Sequence, residues 1–351
     1  MNSLMEGKDS IEKFSRYWCV GYKEMIVTKA PLRISLAGGG SDLPSFYKKY
    51  AGQVFSFAIN KYVYIACHEL FSGGIRLSYS RTENVKLVSD IEHPLIRESL
   101  THLNFQKSIE IGSFADVPGT GTGLGSSSAF TVALLAAISE FSNNTLDSKS
   151  LAKSASLIEI EKCKEPIGKQ DQYASAYGGI NQFIFHKNDS VTVMDYYSTS
   201  TSKFLEQSIM LFYLGTGRNS SAILTHQNNA MLRSSSEFES VKRIRDRVPK
   251  LIDSVLKQDV GAMAAVIRES WDDKKNLHAH VSNSSIESAI SSALSSGAIA
   301  AKVVGAGGGG FLMVVVDPAR RLEFIDKFKI LRNLPFKISK NGAEVVYSDE
   351  R

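Results

Sequence analysis

The chain has 351 residues, 43% of them apolar and 22% charged. That balance belongs to a folded globular protein, excludes wholesale disorder and allows about two domains. Forty-one Lys and Arg against 36 Asp and Glu leave a net charge of +5 with no dense basic block, which argues against a nucleic-acid partner.

Cys19, Cys67 and Cys163 form no CxxC pair. Neither a disulfide framework nor a cysteine zinc site is expected, and a reducing compartment fits. The longest apolar stretch, residues 129–138, is far shorter than the ~20 residues of a membrane span. The opening MNSLMEGKDSIEKF has no apolar core of a secretory signal. A cytoplasmic location and no membrane partner are the expectation.

Residues 1–24 are mixed, charged and weakly periodic, and read as an N-terminal extension. Strand signal is dense from Met25: Ile26, Ile34 and Leu36 lead into a glycine cluster, and residues 53–68, 74–79, 85–88 and 109–114 are rich in β-branched and aromatic residues. The spacing predicts helices over 126–141 and 148–163, the second with Ser148 or Ser150 as N-cap. Strands follow at 179–186, 190–196 and 208–214, then helices at 220–232, 237–257, 260–275 and 283–296. Strands at 300–304 and 311–316 flank a glycine loop, and a helix at 320–331 precedes strands at 337–339 and 344–347. The Ser-rich patches at 198–202 and 234–236 read as loops. Runs of strands and runs of helices predict an α+β fold, with an N-terminal domain over 25–205 and a C-terminal domain over 206–351.

Three glycine-rich segments stand out: Ala37 to Asp42, Pro118 to Ser128 and Gly305 to Gly310. The second, PGTGTGLGSSS, runs from a strand into an apolar helix. Such a junction lets backbone N–H groups and the positive helix end meet an anion, so it predicts a phosphate cradle rather than a plain capping loop. No GxxxxGK[ST] is present, and the GxGxxG at Gly305–Gly310 lies between two short strands with no helix directly behind it. The HRD and DFG signatures of protein kinases are absent too.

Phosphoryl transfer needs placed phosphates, a cation and a group that orients the attacking hydroxyl. Asp171 begins a new segment after Pro166 and Gly168, where it either projects into a cleft or caps the next helix. Glu159, from its pattern alone, reads as a solvated helix residue. Arg33 sits in an apolar strand and needs a partner or a phosphate. Asp42 follows the first glycine cluster. His278 and His280 are spaced HxH with no third ligand, and read as surface polarity rather than metal ligands.

The three segments, in this order and spacing, resemble the motifs of the GHMP kinase superfamily: Ala30 to Arg33 with Gly38 to Asp42, PGTGTGLGSSSA at 118–129, and KVVGAGGGG at 302–310. The resemblance covers the chain except its first residues. It implies an N-terminal domain of ribosomal-protein-S5 type and a ferredoxin-like C-terminal domain, with ATP and Mg²⁺ in the cleft between them. APLRISLAGGGSDLPSFY and EPIGKQDQYASAYGGIN resemble most the D-glycero-D-manno-heptose 7-phosphate kinase group, which phosphorylates an anomeric hydroxyl towards nucleotide-activated heptose for capsule, lipopolysaccharide or S-layer glycans.

By that resemblance Asp171 and Arg33 are catalytic, and Gly119, Gly121, Thr122, Gly123, Leu124, Gly125, Ser126, Ser127 and Ser128 form the nucleotide loop. Ser127 and Glu159 hold the metal. Gly39, Gly40, Ser41, Asp42, Gln172 and Gly308 bind substrate. A second anion site for a 7-phosphate falls to Lys169 or Arg218, the latter equally readable as a surface ion pair. GGGSD in place of GEHTD argues against galactose. The partner is a small phosphorylated sugar. Another sugar 1-kinase, for L-fucose or an N-acetylhexosamine, and a silent sugar sensor on the same fold are the alternatives. The sequence leaves the oligomeric state, a homodimer included, open.

Overall fold

The computed structural model describes residues 25–119, 121–215, 220–233 and 235–349. The extension at 1–24 and the expectation for Arg218 lie outside these residues.

Strand β1 (Met25–Ala37) is buried along its second half. Helix α1 (Pro44–Tyr50) starts on a proline, whose missing N–H costs nothing in a first turn. β2 (Gly52–His68), β3 (Ile75–Ser78), β4 (Thr82–Val85), α2 (Pro94–His102) and β5 (Ile109–Ala115) follow. α3 (Ser126–Phe141) is buried almost all round, from Ala129 to Ile138, as expected of a helix apolar on every face. α4 (Ser148–Ser156) is capped by Asp147, not by Ser148 or Ser150: its carboxylate accepts from Ser150 N at 2.8 Å. The chain then widens into a π-helical turn at Leu157–Lys162.

α5 (Gln170–Tyr177), β6 (Ile180–Phe185) and β7 (Val191–Asp195) complete the first half. The Ser-rich patch expected as a loop opens helix α6 (Thr199–Ser208), since Ser198 caps it by accepting from Thr201 N at 3.0 Å. β8 (Ile209–Gly215) and α7 (Ser220–Arg233) lead to α8 (Ser235–Asp246) and α9 (Val248–Leu256). The single helix expected over 237–257 is therefore broken, with Pro249 in the first turn of α9. α10 (Val260–Lys275), α11 (Ser284–Ser295), β9 (Ala300–Val303), β10 (Gly310–Val315), α12 (Arg321–Lys327), β11 (Arg332–Asn333) and β12 (Glu344–Ser348) close the chain. In place of a strand at 337–339 there is one isolated bridge, Ile338 with Ile59.

Two sheets organise these elements. The larger runs β12-β1-β2-β5-β3-β4, with β6 on β2 and β7 on β6. Its long strand β2 pairs with β1 between Phe55 and His68, with β6 by its first residues and with β5 by its second half. The smaller sheet runs β11-β8-β10-β9, and all its pairs are antiparallel. β12 returns to the larger sheet, so sheet membership does not follow a single cut near residue 205. The buried α3 lies on β1 and β2, where Thr28 Oγ1 donates to the Ala133 carbonyl at 2.8 Å. That packing holds the start of α3 beside the end of β1, where the glycine loops meet.

Among the described residues no helix is long and apolar enough to cross a membrane.

Candidate active site

The end of β1, the loop into α3 and the start of α5 converge on one cleft. Arg33, 3% exposed on β1, sends Nε to Asp171 Oδ1 and Nη2 to Asp171 Oδ2, each at 2.7 Å. Its third nitrogen donates to the Gly123 carbonyl at 2.5 Å, and its backbone N–H to the Leu124 carbonyl at 3.0 Å. All three nitrogens of this buried guanidinium thus make a bond, two of them in the fork geometry that suits it best. Asp171 sits in the first turn of α5 but does not cap it; its carboxylate is turned to Arg33. Gly125 lies beside this pair: a Cβ there would stand 3.2 Å from Asp171 Oδ2 and 3.4 Å from Arg33 Cγ.

The second and third glycine segments touch backbone to backbone. A Cβ on Gly305 would come within 2.5 Å of Gly123 Cα, and one on Gly310 within 2.4 Å of the Thr122 carbonyl. The positive φ of both residues adds to this demand for glycine. Ser127 is exposed at the start of α3, while Ser126 and Ser128 are buried. Ser126 Oγ meets Thr122 Oγ1 at 3.1 Å.

Glu159 departs most from its pattern-based reading. It is fully buried, because the π-helical turn carries it inward. Ser128 (2.7 Å), Thr131 (2.9 Å) and Ser127 (3.3 Å) donate hydroxyls to it, and the Gln172 amide donates to its Oε2. Burial pushes its pKa up to about 7 against the pull of the Ser128, Gln172 and Thr131 donors. Glu159 and Ser127 bring hard oxygen donors together beside the start of α3, the kind of donor that a magnesium ion takes.

Asp42 is also buried. It accepts from Gly40 N at 2.9 Å and from Gln170 N at 3.3 Å, and burial, then the charge of Asp171, raises its pKa to about 6. Gly39, Gly40, Asp42, Gly168, Gln170 and Asp171 share the cleft lining with Arg33.

Several expected substrate contacts lie elsewhere. Ser41 does not line the cleft: its hydroxyl donates to the Gly38 carbonyl (2.7 Å) and accepts from Gln53 N (3.0 Å), closing the loop instead. Gln172 is fully buried and its amide serves Glu159. Lys169, just before α5, turns to Asp189 at 3.0 Å and lies 4.9 Å from the centre of the Tyr47 ring. Gly308 donates its N–H to Val281 and lines a separate cavity with His226, His278 and His280. Those histidines cluster, with ring centroids 3.9 and 4.9 Å apart, yet among the described residues no group of three or more His, Cys, Asp or Glu side chains is arranged to hold a metal.

Three contributors were not legible. Lys274, at the end of α10, lines the cleft beside Gly305; basic residues in a last helical turn ordinarily answer the helix dipole. Lys302 on β9 is buried and donates to the Ser35 (2.9 Å) and Leu36 (2.7 Å) carbonyls, tying the small sheet to the end of β1. Gln170 Oε1 is buried in the cleft wall with no protein partner among the described residues.

The family model described as GHMP kinases N terminal domain matches residues 91–179, and that described as GHMP kinases C terminal matches 251–331. The chain is 30% identical over 334 residues to the D-glycero-alpha-D-manno-heptose 7-phosphate kinase of Campylobacter jejuni, covering 91% of this chain and 98% of that one. The crystal structure of a D-glycero-D-manno-heptose 1-phosphate kinase from Bacteroides thetaiotaomicron superposes with a TM-score of 0.75 at 29% identity, over 92% of this chain and 99% of that one. The bifunctional fucokinase/GDP-fucose pyrophosphorylase of Arabidopsis thaliana is 24% identical over 84% of this chain but only 30% of its own length. The chain belongs to the GHMP kinase family and has its fold, with N- and C-terminal domains. It is a phosphotransferase with an alcohol group as acceptor.

Proposed function

We propose that the protein is an ATP-dependent sugar 1-kinase that phosphorylates the anomeric hydroxyl of D-glycero-D-manno-heptose 7-phosphate, giving the 1,7-bisphosphate. The observation that carries this reading is the Arg33–Asp171 fork facing the helix-backed glycine loop. The relative from Campylobacter supports the heptose 7-phosphate acceptor by its name.

Gly121 to Ser128 hold the nucleotide phosphates with backbone N–H groups and the start of α3. Ser127 and Glu159 would hold Mg²⁺, which would offset phosphate charge. Asp171 orients the acceptor hydroxyl and takes its proton. An anomeric hydroxyl is a far weaker acid than a carboxylic acid of pKa ~4, so the proton moves late, as the bond to phosphorus forms. Arg33 holds the Asp171 carboxylate in place through both oxygens. Asp42, with Gly39, Gly40 and Gln170, reads the sugar hydroxyls.

A second reading, an L-fucose-type 1-kinase, is favoured by one feature: Lys169 is held by Asp189 and does not offer the cleft a 7-phosphate anchor. A coupled ADP-release assay over sugars with and without a terminal phosphate decides. Turnover highest on heptose 7-phosphate supports the proposal; preference for L-fucose replaces the substrate; ADP release with no sugar overturns the kinase reading.

A further inference from the structure

Positive charge in the cleft is unequally committed. The Arg33 guanidinium is neutralised by the Asp171 carboxylate and anchored on the Gly123 carbonyl. Lys302 is spent on two carbonyls behind the cleft. Lys274 differs. Its ammonium has three donors, and among the described residues its one hydrogen-bond partner is the neutral Gly305 carbonyl. No carboxylate among the described residues forms an ion pair with it, and its side chain lines the same cleft as Arg33, Asp42 and Asp171.

Its position is set by contacts already described. Gly305 abuts Gly123, Gly123 receives Arg33, and Gly125 lies against Asp171. Lys274 therefore stands where the phosphate loop meets the base, the place that a phosphoryl group crosses on its way to the acceptor. An anchor for a phosphate at the far end of the sugar would lie away from the glycine loop.

Resting on the kinase reading above, we propose that Lys274 is a further catalytic residue: its ammonium contacts the transferring phosphoryl oxygens and supplies the uncommitted positive charge that balances them. The charge on those oxygens is spread over the equatorial positions during transfer, and a pre-placed cation in a water-poor site stabilises it without reorganisation. The electrostatics agree. Burial, then the neighbouring Arg33, lowers the Lys274 pKa to about 8, against the opposing pull of Asp42 and Asp171. Lys302, on β9, is the other charged neighbour, and its own pKa is lowered by burial and by Lys274. An arriving anion favours the protonated form of Lys274.

The test compares wild type with Lys274→Met, Lys274→Gln and Lys274→Arg, each checked for fold by circular dichroism and melting. Two readouts are taken: steady-state ADP release, and binding of ADP alone against ADP with aluminium fluoride and Mg²⁺. The expected result is a kcat loss of about 10²–10³-fold in the Met and Gln variants, as for removal of one transition-state donor. KM for either substrate should move less than about threefold, and Arg should recover part of the loss. Aluminium fluoride should no longer tighten ADP binding in the Met and Gln variants. The wild-type alkaline limb near pH 8 should move upward in the Arg variant. Unchanged kcat, or a loss confined to KM for phosphorylated sugars, overturns the assignment. If Met alone misfolds, Gln, which keeps a donor for Gly305, decides. Wild type that releases ADP with no sugar defeats the kinase reading, and the aluminium fluoride arm still decides Lys274.

Discussion

Arg33 and Asp171, 138 residues apart in sequence, meet through two parallel hydrogen bonds of 2.7 Å. The fork joins β1 to α5 and fixes both oxygens of the carboxylate. Asp171→Asn replaces one acceptor with a donor that opposes the guanidinium. Turnover should fall by about 10²–10⁴-fold, the usual span for a lost proton acceptor. Arg33→Lys keeps the charge but loses the planar fork, so it too should lower kcat. Initial rates under saturating substrates check both, and near-normal turnover by Asp171→Asn would remove it from the base role.

With Glu159 as the proposed metal ligand, metal binding and stability should respond to pH in opposite ways. Its pKa is about 7 in the folded protein against 4.5 for an ordinary glutamate. Metal needs the ionised form, so the Mg²⁺ concentration for half-maximal activity should rise as pH falls through about 7. The folded state also binds the proton more tightly than the unfolded chain. Its stabilising contribution is therefore full below about 4.5 and lost as pH rises through about 7. Asp42, raised to about 6, acts in the same direction. The check is the metal-free melting temperature across pH 5.5 to 8 in wild type and Glu159→Gln: the Glu159 variant should show the smaller drop towards alkaline pH.

Gly168 is required by space alone. A Cβ there would stand 2.0 Å from Asp42 Oδ2, and the two groups cannot share that position. Gly168→Ala should displace Asp42 from the cleft wall and raise KM for the sugar more than KM for ATP. The added methyl should also cost about 1–3 kcal/mol of stability, as overpacking does. Steady-state kinetics and chemical denaturation measure the two effects.

Lys302 acts as a tie between sheets. Lys302→Met leaves the Ser35 and Leu36 carbonyls without that donor, and should cost about 1–3 kcal/mol. Because those carbonyls end β1 just before the first glycine cluster, the loss should appear as a lower melting temperature with kcat largely kept. A variant as stable as wild type would contradict the tie.

Much of this arrangement could be read from residue patterns, for identifiable reasons. The helix at Ser126–Phe141 and the helix at Val260–Lys275 carry their periodicity in their own residues, and the glycine loop before the first needs no distant partner to be seen. Glu159 escaped because a π-helical turn shifts the helical phase, so a residue spaced for solvent faces inward. The helix Thr199–Ser208 escaped because serine runs serve both loops and caps, and only the Ser198 bond to Thr201 N distinguishes them. Lys169 and Lys274 exchanged prominence for a tertiary reason. Asp189, twenty residues after Lys169, captures the first, whereas Gly305, in the loop after β9, receives the second from the end of helix α10. No local pattern encodes either meeting.

The proposed acceptor is the anomeric hydroxyl of a sugar placed before Asp171. Phosphorus NMR of the product formed from ATP and D-glycero-D-manno-heptose 7-phosphate tests it most directly. A second phosphorus signal coupled to the anomeric proton is expected, absent with Asp171→Asn. A new phosphorus coupled to any other carbinol proton, or wild-type enzyme leaving this sugar and every other sugar of the panel unphosphorylated, would contradict it.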